Sequence, residues 1–360
     1  MLFRNVMLPP KITKISTLIH SHIRRKLSRT AVKYQIKNDS SGGVMQIFDR
    51  KTKTLQRERA ASAQDVNLYD YLKEEIGYRL ADRIFDIKRK FKCAADIGCS
   101  RGYVSKHISI DSVEELILCD VSQANLDSVI VGDGVKVIKQ ILDEENIHFE
   151  SNSLDLVVSS LNLHWVNDLP KALNSIISAL KQDGVFMASV FGGETLYELR
   201  SSLQLAELER RGGLSPHISP FTEVRDIGSL LTRAGFTMLT IDTDEIIVNY
   251  PTMFELMWDL KGMAESNAAL NRSLHLHRDT QFAAAAIYEQ LYGKYDEETQ
   301  RSGIPATFQI INMIGWKPHP KQPKPIERGT GEVSLKDLHR LDEIIKEIKT
   351  VKLDDDNEKK

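Results

Sequence analysis

Phe91-Lys92-Cys93-Ala94-Ala95-Asp96-Ile97-Gly98-Cys99-Ser100-Arg101-Gly102 decides how this chain folds. Small and apolar residues run up to Asp96. A turn built on Gly98, Ser100 and Gly102 follows, and Tyr103 to Ile108 reads as the start of a helix. In that order the pieces make a cradle: missing side chains let backbone approach a ligand, and free helical N–H groups point at it. Working outward, Glu114 to Cys119 is a second buried-strand pattern, closed by Asp120, 24 residues after Asp96. In nucleotide-binding α/β units an acid about 20 residues beyond the glycine loop grips ribose hydroxyls. The competing reading is a βαβ unit whose glycine turn only closes a loop.

The rest of the chain extends the alternation. Val135 to Leu142 reads as a third strand, followed by the acids Asp143-Glu144-Glu145. Leu154 to Ser160 is a continuous apolar run, as in a parallel sheet, leading into Leu161-Asn162-Leu163-His164-Trp165. Asn167 or Asp168 caps the next helix, with Pro170 in its first turn and Asp183-Gly184 at its end. Val185 to Phe191 is a fifth strand. Leucines from 196 to 208 mark a helix that stops at Gly212-Gly213, and a two-proline loop runs from Leu214 to Phe221. Thr222 caps a helix ending at Gly235, and Phe236 to Val248 is a sixth strand. Thr252 to about Tyr295 reads as helical, and Ile304 to Trp316 as a last strand. Upstream, Phe48 and Leu55 anchor a charged stretch, while Leu68, Leu72, Ile76, Leu80, Ile84 and Phe85 set out a long amphipathic helix. That helix is expected to cover the first strand and the glycine loop.

Composition narrows the classes. A 41% hydrophobic and 27% charged chain of 360 residues is an ordinary globular protein of one large or two small domains. The net charge of −2 gives no basic surface for nucleic acid. Cys93, Cys99 and Cys119 form no Cys-x-x-Cys pair, so no zinc site is expected. Residues 1–40 differ: from Met1 to Asn38 there is no acid, while Arg4, Lys11, Lys14, Arg24, Arg25 and Lys26 lie among helically spaced apolar residues. This is the composition of a mitochondrial transit segment, with a basic nucleic-acid or membrane tail as the alternative. Beyond Lys317, prolines and charges dominate a tail with room for a short helix between Leu335 and Val351.

The loop Asp96-Ile97-Gly98-Cys99-Ser100-Arg101-Gly102 resembles the Asp-x-Gly-x-Gly-x-Gly of S-adenosylmethionine-dependent methyltransferases, with Ser100 at the middle glycine. Serine has a Cβ and resists positive φ there. Ser153 to Ser160 and Leu163 to Pro170 resemble the branch containing the biotin-pathway malonyl-carrier methyltransferases. Phe191 to Arg200, Ser215 to Phe221, Asp242 to Ile246, Val248 to Pro251 and Phe48-Asp49-Arg50 are similar to mitochondrial complex I assembly factors of that superfamily, described as arginine hydroxylases. The likeness spans roughly residues 44–316, with helical insertions at 194–213 and 252–300.

The resemblance implies a class I methyltransferase fold: a mostly parallel α/β sheet with one antiparallel strand and helices on both faces. It implies S-adenosylmethionine as cofactor, held by Asp96, Gly98, Ser100, Gly102, Asp120, Val121, Asp143 and Leu161. A solvated turn is the competing reading for Asp143. It implies a matrix protein peripheral to the inner membrane, hydroxylating an arginine of a core complex I subunit alongside other assembly factors. His164, Trp165 and His217 are the catalytic candidates, the first two because they follow strand four, where such sheets bind ligands. Iron chemistry needs two His and a carboxylate with open positions. His275-x-His277-x-Asp279 and His148-x-Glu150 have the donors but not the place in the fold, so no metal ligand is assigned. Glu194 and Glu198, one helical turn apart, have the spacing to hold a guanidinium, or to lie on a solvated face. Two other functions stay open: methyl transfer to a protein or acyl carrier, and a non-catalytic assembly chaperone.

Overall fold

The computed structural model describes residues 45–296 and 301–323. In chain order they form α1 (Arg50–Ala61), α2 (Tyr71–Asp86), β1 (Phe91–Ile97), β2 (Val113–Asp120), α3 (Gln123–Ser128), β3 (Lys136–Ile141) and β4 (Leu154–Ser160). Then come α4 (Leu169–Ala179), β5 (Leu180–Phe191), α5 (Tyr197–Arg211), α6 (Val224–Ala234), β6 (Thr237–Tyr250), α7 (Met253–Gly262), α8 (Arg278–Tyr292), β7 (Lys294–Asp296) and β8 (Arg301–Trp316). The sheet order is β3-β2-β1-β4-β5-β8-β6, with β7 pairing β8 off this path. β1 to β5 run parallel, and β8 runs antiparallel between β5 and β6. Strand order reverses between β1 and β4, so a crevice opens there at the carboxyl ends.

The two-residue period of a strand distributes the core. Ala94, Leu156 and Val158 join Leu80, Ala81 and Ile84 of α2 on one face. Ala95 and Val157 join Leu173, Ile176, Ile227 and Leu231 of α4 and α6 on the other. A third cluster beyond β5 gathers Phe191, Leu199, Leu203, Leu256, Leu260, Tyr288 and Phe308. Edge strand β3 is largely exposed and carries Lys136 and Lys139, charges that discourage pairing with another chain. α2 does cover β1 and the loop: a Cβ on its Gly77 would lie 2.4 Å from the Tyr103 carbonyl oxygen.

Several sequence expectations are corrected. The helix after the glycine loop is only a single 3-10 turn, Ser105–His107. The chain must return to β2 by Val113, and Ile130 N–H and Gly132 N–H bond back to Arg101 and Ser105 carbonyls, so the segment has no room to propagate. α4 ends at Ala179; Leu180 already pairs with Leu154, and Asp183, at φ 62°, lies in a register shift of β5. Glu223, not Thr222, is the cap residue of α6, because Thr222 bridges to Gly192. The helical region from Thr252 to Tyr295 divides into α7 and α8. Residues 263–277 between them turn at Ala264 (φ 61°), and Ala269 bridges to Phe48. In α1 the expected pattern is inverted: Leu55 is exposed and Lys53, Gln56 and Arg57 are buried. Glu198 lies on no solvated face; it is buried and accepts from Thr307 N–H and Oγ1–H. The readings on residues 1–40 and on the helix at 335–351 lie outside the described residues.

Candidate active site at the carboxyl ends of the parallel strands

The turn after β1 is tight. Gly98 and Cys99 N–H both donate to the Cys119 carbonyl, tying the loop to β2. Gly98, Ser100 and Gly102 all have positive φ (72°, 49° and 89°), so Ser100 holds a left-handed conformation that costs a Cβ-bearing residue about 1–2 kcal/mol. Asp120 fixes it: its carboxylate accepts from Ser100 N–H at 3.0 Å and, on the other oxygen, from Ser122 N–H at 2.8 Å and Asn125 at 3.2 Å. Ser122 also caps α3. The acid expected at a ribose thus spends acceptor capacity on the loop itself.

Asp96 differs. It is 1% exposed, and neither carboxylate oxygen has a hydrogen-bond partner among the described residues. Burial, with Asp120 nearby, pushes its pKa up to about 7. An orphaned acid beside positive-φ loop amides fits a cofactor carrying N–H and O–H donors, as an adenosyl amino acid does. Asp96 is the group that would hold it, since the Gly98, Cys99, Ser100 and Gly102 N–H groups are already bonded to Cys119, Asp120 and Cys99. The cofactor's contribution there is its activated sulfonium.

The sequence did not mark the residues that close over this loop. Asn162 sits on Gly98, where an added Cβ would meet its Nδ2 at 1.6 Å. Its amide donates to Glu144 at 2.7 Å. Glu144 also receives Arg57 of α1 at 2.7 Å and Arg50, and Arg57 in turn reaches Asn162 Oδ1. Burial works against the Glu144 charge, but Arg57, Arg50 and Asn162 outweigh it and hold the pKa at about 2. Asp143, the expected contact, is 44% exposed and ion-paired to Arg50. Val121 is half-buried at the loop. Leu161 lies in the apolar cluster with Phe191 and Leu196. A buried acid gripped by arginines from residues 50 and 57 has no local signature, so only tertiary contact reveals it.

A second polar group lies beyond β4. The Trp165 indole N–H donates to Glu265 at 3.0 Å, Lys73 pairs with the same carboxylate at 3.2 Å, and His164 Nε2 is 3.5 Å away. Neither His164 nitrogen has a hydrogen bond, and burial lowers its pKa, so the ring is neutral at physiological pH. Lys53 is 1% exposed, lies 3.3 Å from the Trp165 ring centroid and donates to the Ala264 and Ser266 carbonyls. Burial, partly opposed by Glu265, takes its pKa well below that of free lysine. His217 is held by Glu207 at 3.1 Å and lines a cavity together with Glu265. His164 and Trp165 therefore flank Glu265, which has no motif of its own in the sequence, and His217 lines the same cavity. The histidines 275 and 277 meet edge to face, and no group of three His, Cys, Asp or Glu poised for a metal occurs among the described residues. Iron thus finds no fitting ligand set among the described residues.

The fold is that of a class I methyltransferase, and residues 69–241 match the family model described as a methyltransferase domain. Within that class the chain belongs to the NDUFAF5 arginine-hydroxylase family. It is 53% identical over 306 residues to the mouse protein named "Arginine-hydroxylase NDUFAF5, mitochondrial", covering 85% of this chain and 88% of that one. The human protein of the same name is 50% identical, covering 86% and 88%. A malonyl-[acyl-carrier protein] O-methyltransferase from Methylovorus is 28% identical, covering 72% of this chain and 86% of its own.

Proposed function

We propose that this chain is a mitochondrial arginine hydroxylase built on an S-adenosylmethionine-binding fold. Its substrate is an arginine of a core subunit of respiratory complex I, modified early in assembly. The observation that carries the reading is 53% identity over 85% of the chain to a protein named for that activity. We further propose that residues 1–40 direct the chain to the matrix, where it works at the inner membrane beside other assembly factors. Among the described residues no helix is long and apolar enough to cross a membrane.

The chain's own residues supply binding and exclusion of water. Asp96 receives the cofactor, while Glu265, Trp165 and His164 present acceptor, wall and neutral ring to the substrate side. The decisive experiment is mass spectrometry of core complex I subunits from cells with and without the protein. An arginine one oxygen heavier that vanishes on deletion and returns with the intact gene is expected. An unchanged modification overturns the reading. The methyltransferase-domain match supports ordinary methyl transfer as a second reading. Methyl-labelled cofactor given to matrix extract tests it, and an unlabelled product pool excludes it.

A further inference from the structure

Beside the polar centre lies a cavity of about 200 Å³ between α5, α7 and the two-proline loop. Leu199, Leu203, Phe221, Met257 and Leu260 give it apolar walls, and Glu265 lines it. It is smaller than the roughly 300–1,000 Å³ of drug- or cofactor-sized pockets and has the scale of one large side chain. An apolar tube with a carboxylate is what arginine's side chain requires: methylenes bury along hydrocarbon, and the planar guanidinium needs an acceptor.

Glu265 has that capacity. A carboxylate offers about four lone-pair directions. Trp165 Nε1–H takes one at 3.0 Å and Lys73 a second at 3.2 Å, while His164 at 3.5 Å makes no hydrogen bond. Burial opposes its charge, yet Lys73 and Lys53 hold its pKa well below the usual carboxylate range. Among the lining residues Phe221 adds an aromatic ring, packed 5.9 Å from His164 centroid to centroid. Guanidinium planes stack on the faces of such rings.

We infer that this cavity is the slot for the substrate arginine side chain, its methylenes along Leu199, Leu203 and Met257 and its guanidinium received by Glu265. The inference rests on the arginine-hydroxylase reading and names the subsite that reading leaves open. An anionic side chain is repelled here, and a neutral one forgoes the charge-assisted bond.

The test uses the full chain and two probes of the same shape, N-acetyl-arginine methylamide and its uncharged citrulline counterpart. Binding is followed by the Trp165 indole N–H resonance. The wild type is expected to favour arginine by about tenfold or more, the scale of one charge-assisted hydrogen bond. Glu265→Gln should bring the two probes within about twofold, since an amide can still accept from Trp165 but carries no charge. Leu276→Trp, at a half-buried wall position, should fill the slot and weaken both probes by about tenfold, and near-ultraviolet dichroism checks that it folds. A wild type without preference, a preference surviving in folded Glu265→Gln, or Leu276→Trp binding like wild type overturns the slot. The two readings separate cleanly. Hydroxylation with preference surviving in Glu265→Gln sinks the slot alone, whereas Glu265-dependent preference without hydroxyarginine sinks the activity alone.

Discussion

Arg57→Met tests whether α1 is held down by charge. Its guanidinium is 2.7 Å from Glu144, a side chain with no exposure, and reaches Asn162 over Gly98. The folded pKa of Glu144, about 2 against 4.5, corresponds to about 3 kcal/mol of stability at neutral pH. The sign follows from the lowering: the contribution is complete above pH 4.5 and fades as pH falls towards 2. Removing one partner of a buried pair costs about 3–5 kcal/mol, and here Arg50 and Asn162 remain, so about 3 is expected. At roughly 2–4 °C per kcal/mol for a body of this size, the melting temperature should drop by about 6–12 °C at pH 7. Scanning calorimetry measures it, and the gap between variant and wild type should narrow as the buffer is acidified below pH 4.5. Arg57→Lys should fall in between, because a point charge cannot fork to Glu144 and Asn162 together. A variant melting within about 2 °C of wild type would refute the reasoning, because the pair would then not repay its own desolvation.

Two further outcomes follow from the same site. Gly77→Ala puts a Cβ 2.4 Å from the Tyr103 carbonyl oxygen, a backbone atom that cannot swing away. Urea denaturation should show a loss of about 1–3 kcal/mol, and wild-type stability would mean α2 does not press on the loop. Asp96→Asn removes a carboxyl whose pKa burial and Asp120 raise from 3.8 to about 7. A raised pKa contributes stability below pH 3.8 that is lost as pH rises through 7, about 4 kcal/mol in all. The amide variant should therefore gain on the wild type between pH 4 and 7 in ligand-free protein, and parallel stability curves would contradict the orphaned acid.

The sequence by itself determined the strands, the turn and most helix ends, because each is written locally. Asp96-to-Gly102 needs positive φ, Ser122 and Asp168 cap their helices, Gly212 and Gly235 close theirs, and the apolar run Leu154–Ser160 marks a strand buried on both faces. It also located His164, Trp165 and His217, through their place after strand four or a resemblance. Only the tertiary structure decided what those residues face. Lys53 and Arg57 read as solvated charges on a polar helix, yet both are buried, because Glu144 and Glu265 arrive from distant segments. Local propensity sets what a segment prefers, but a buried charge is tolerated only where a partner from elsewhere meets it, and no periodicity in the chain records that meeting.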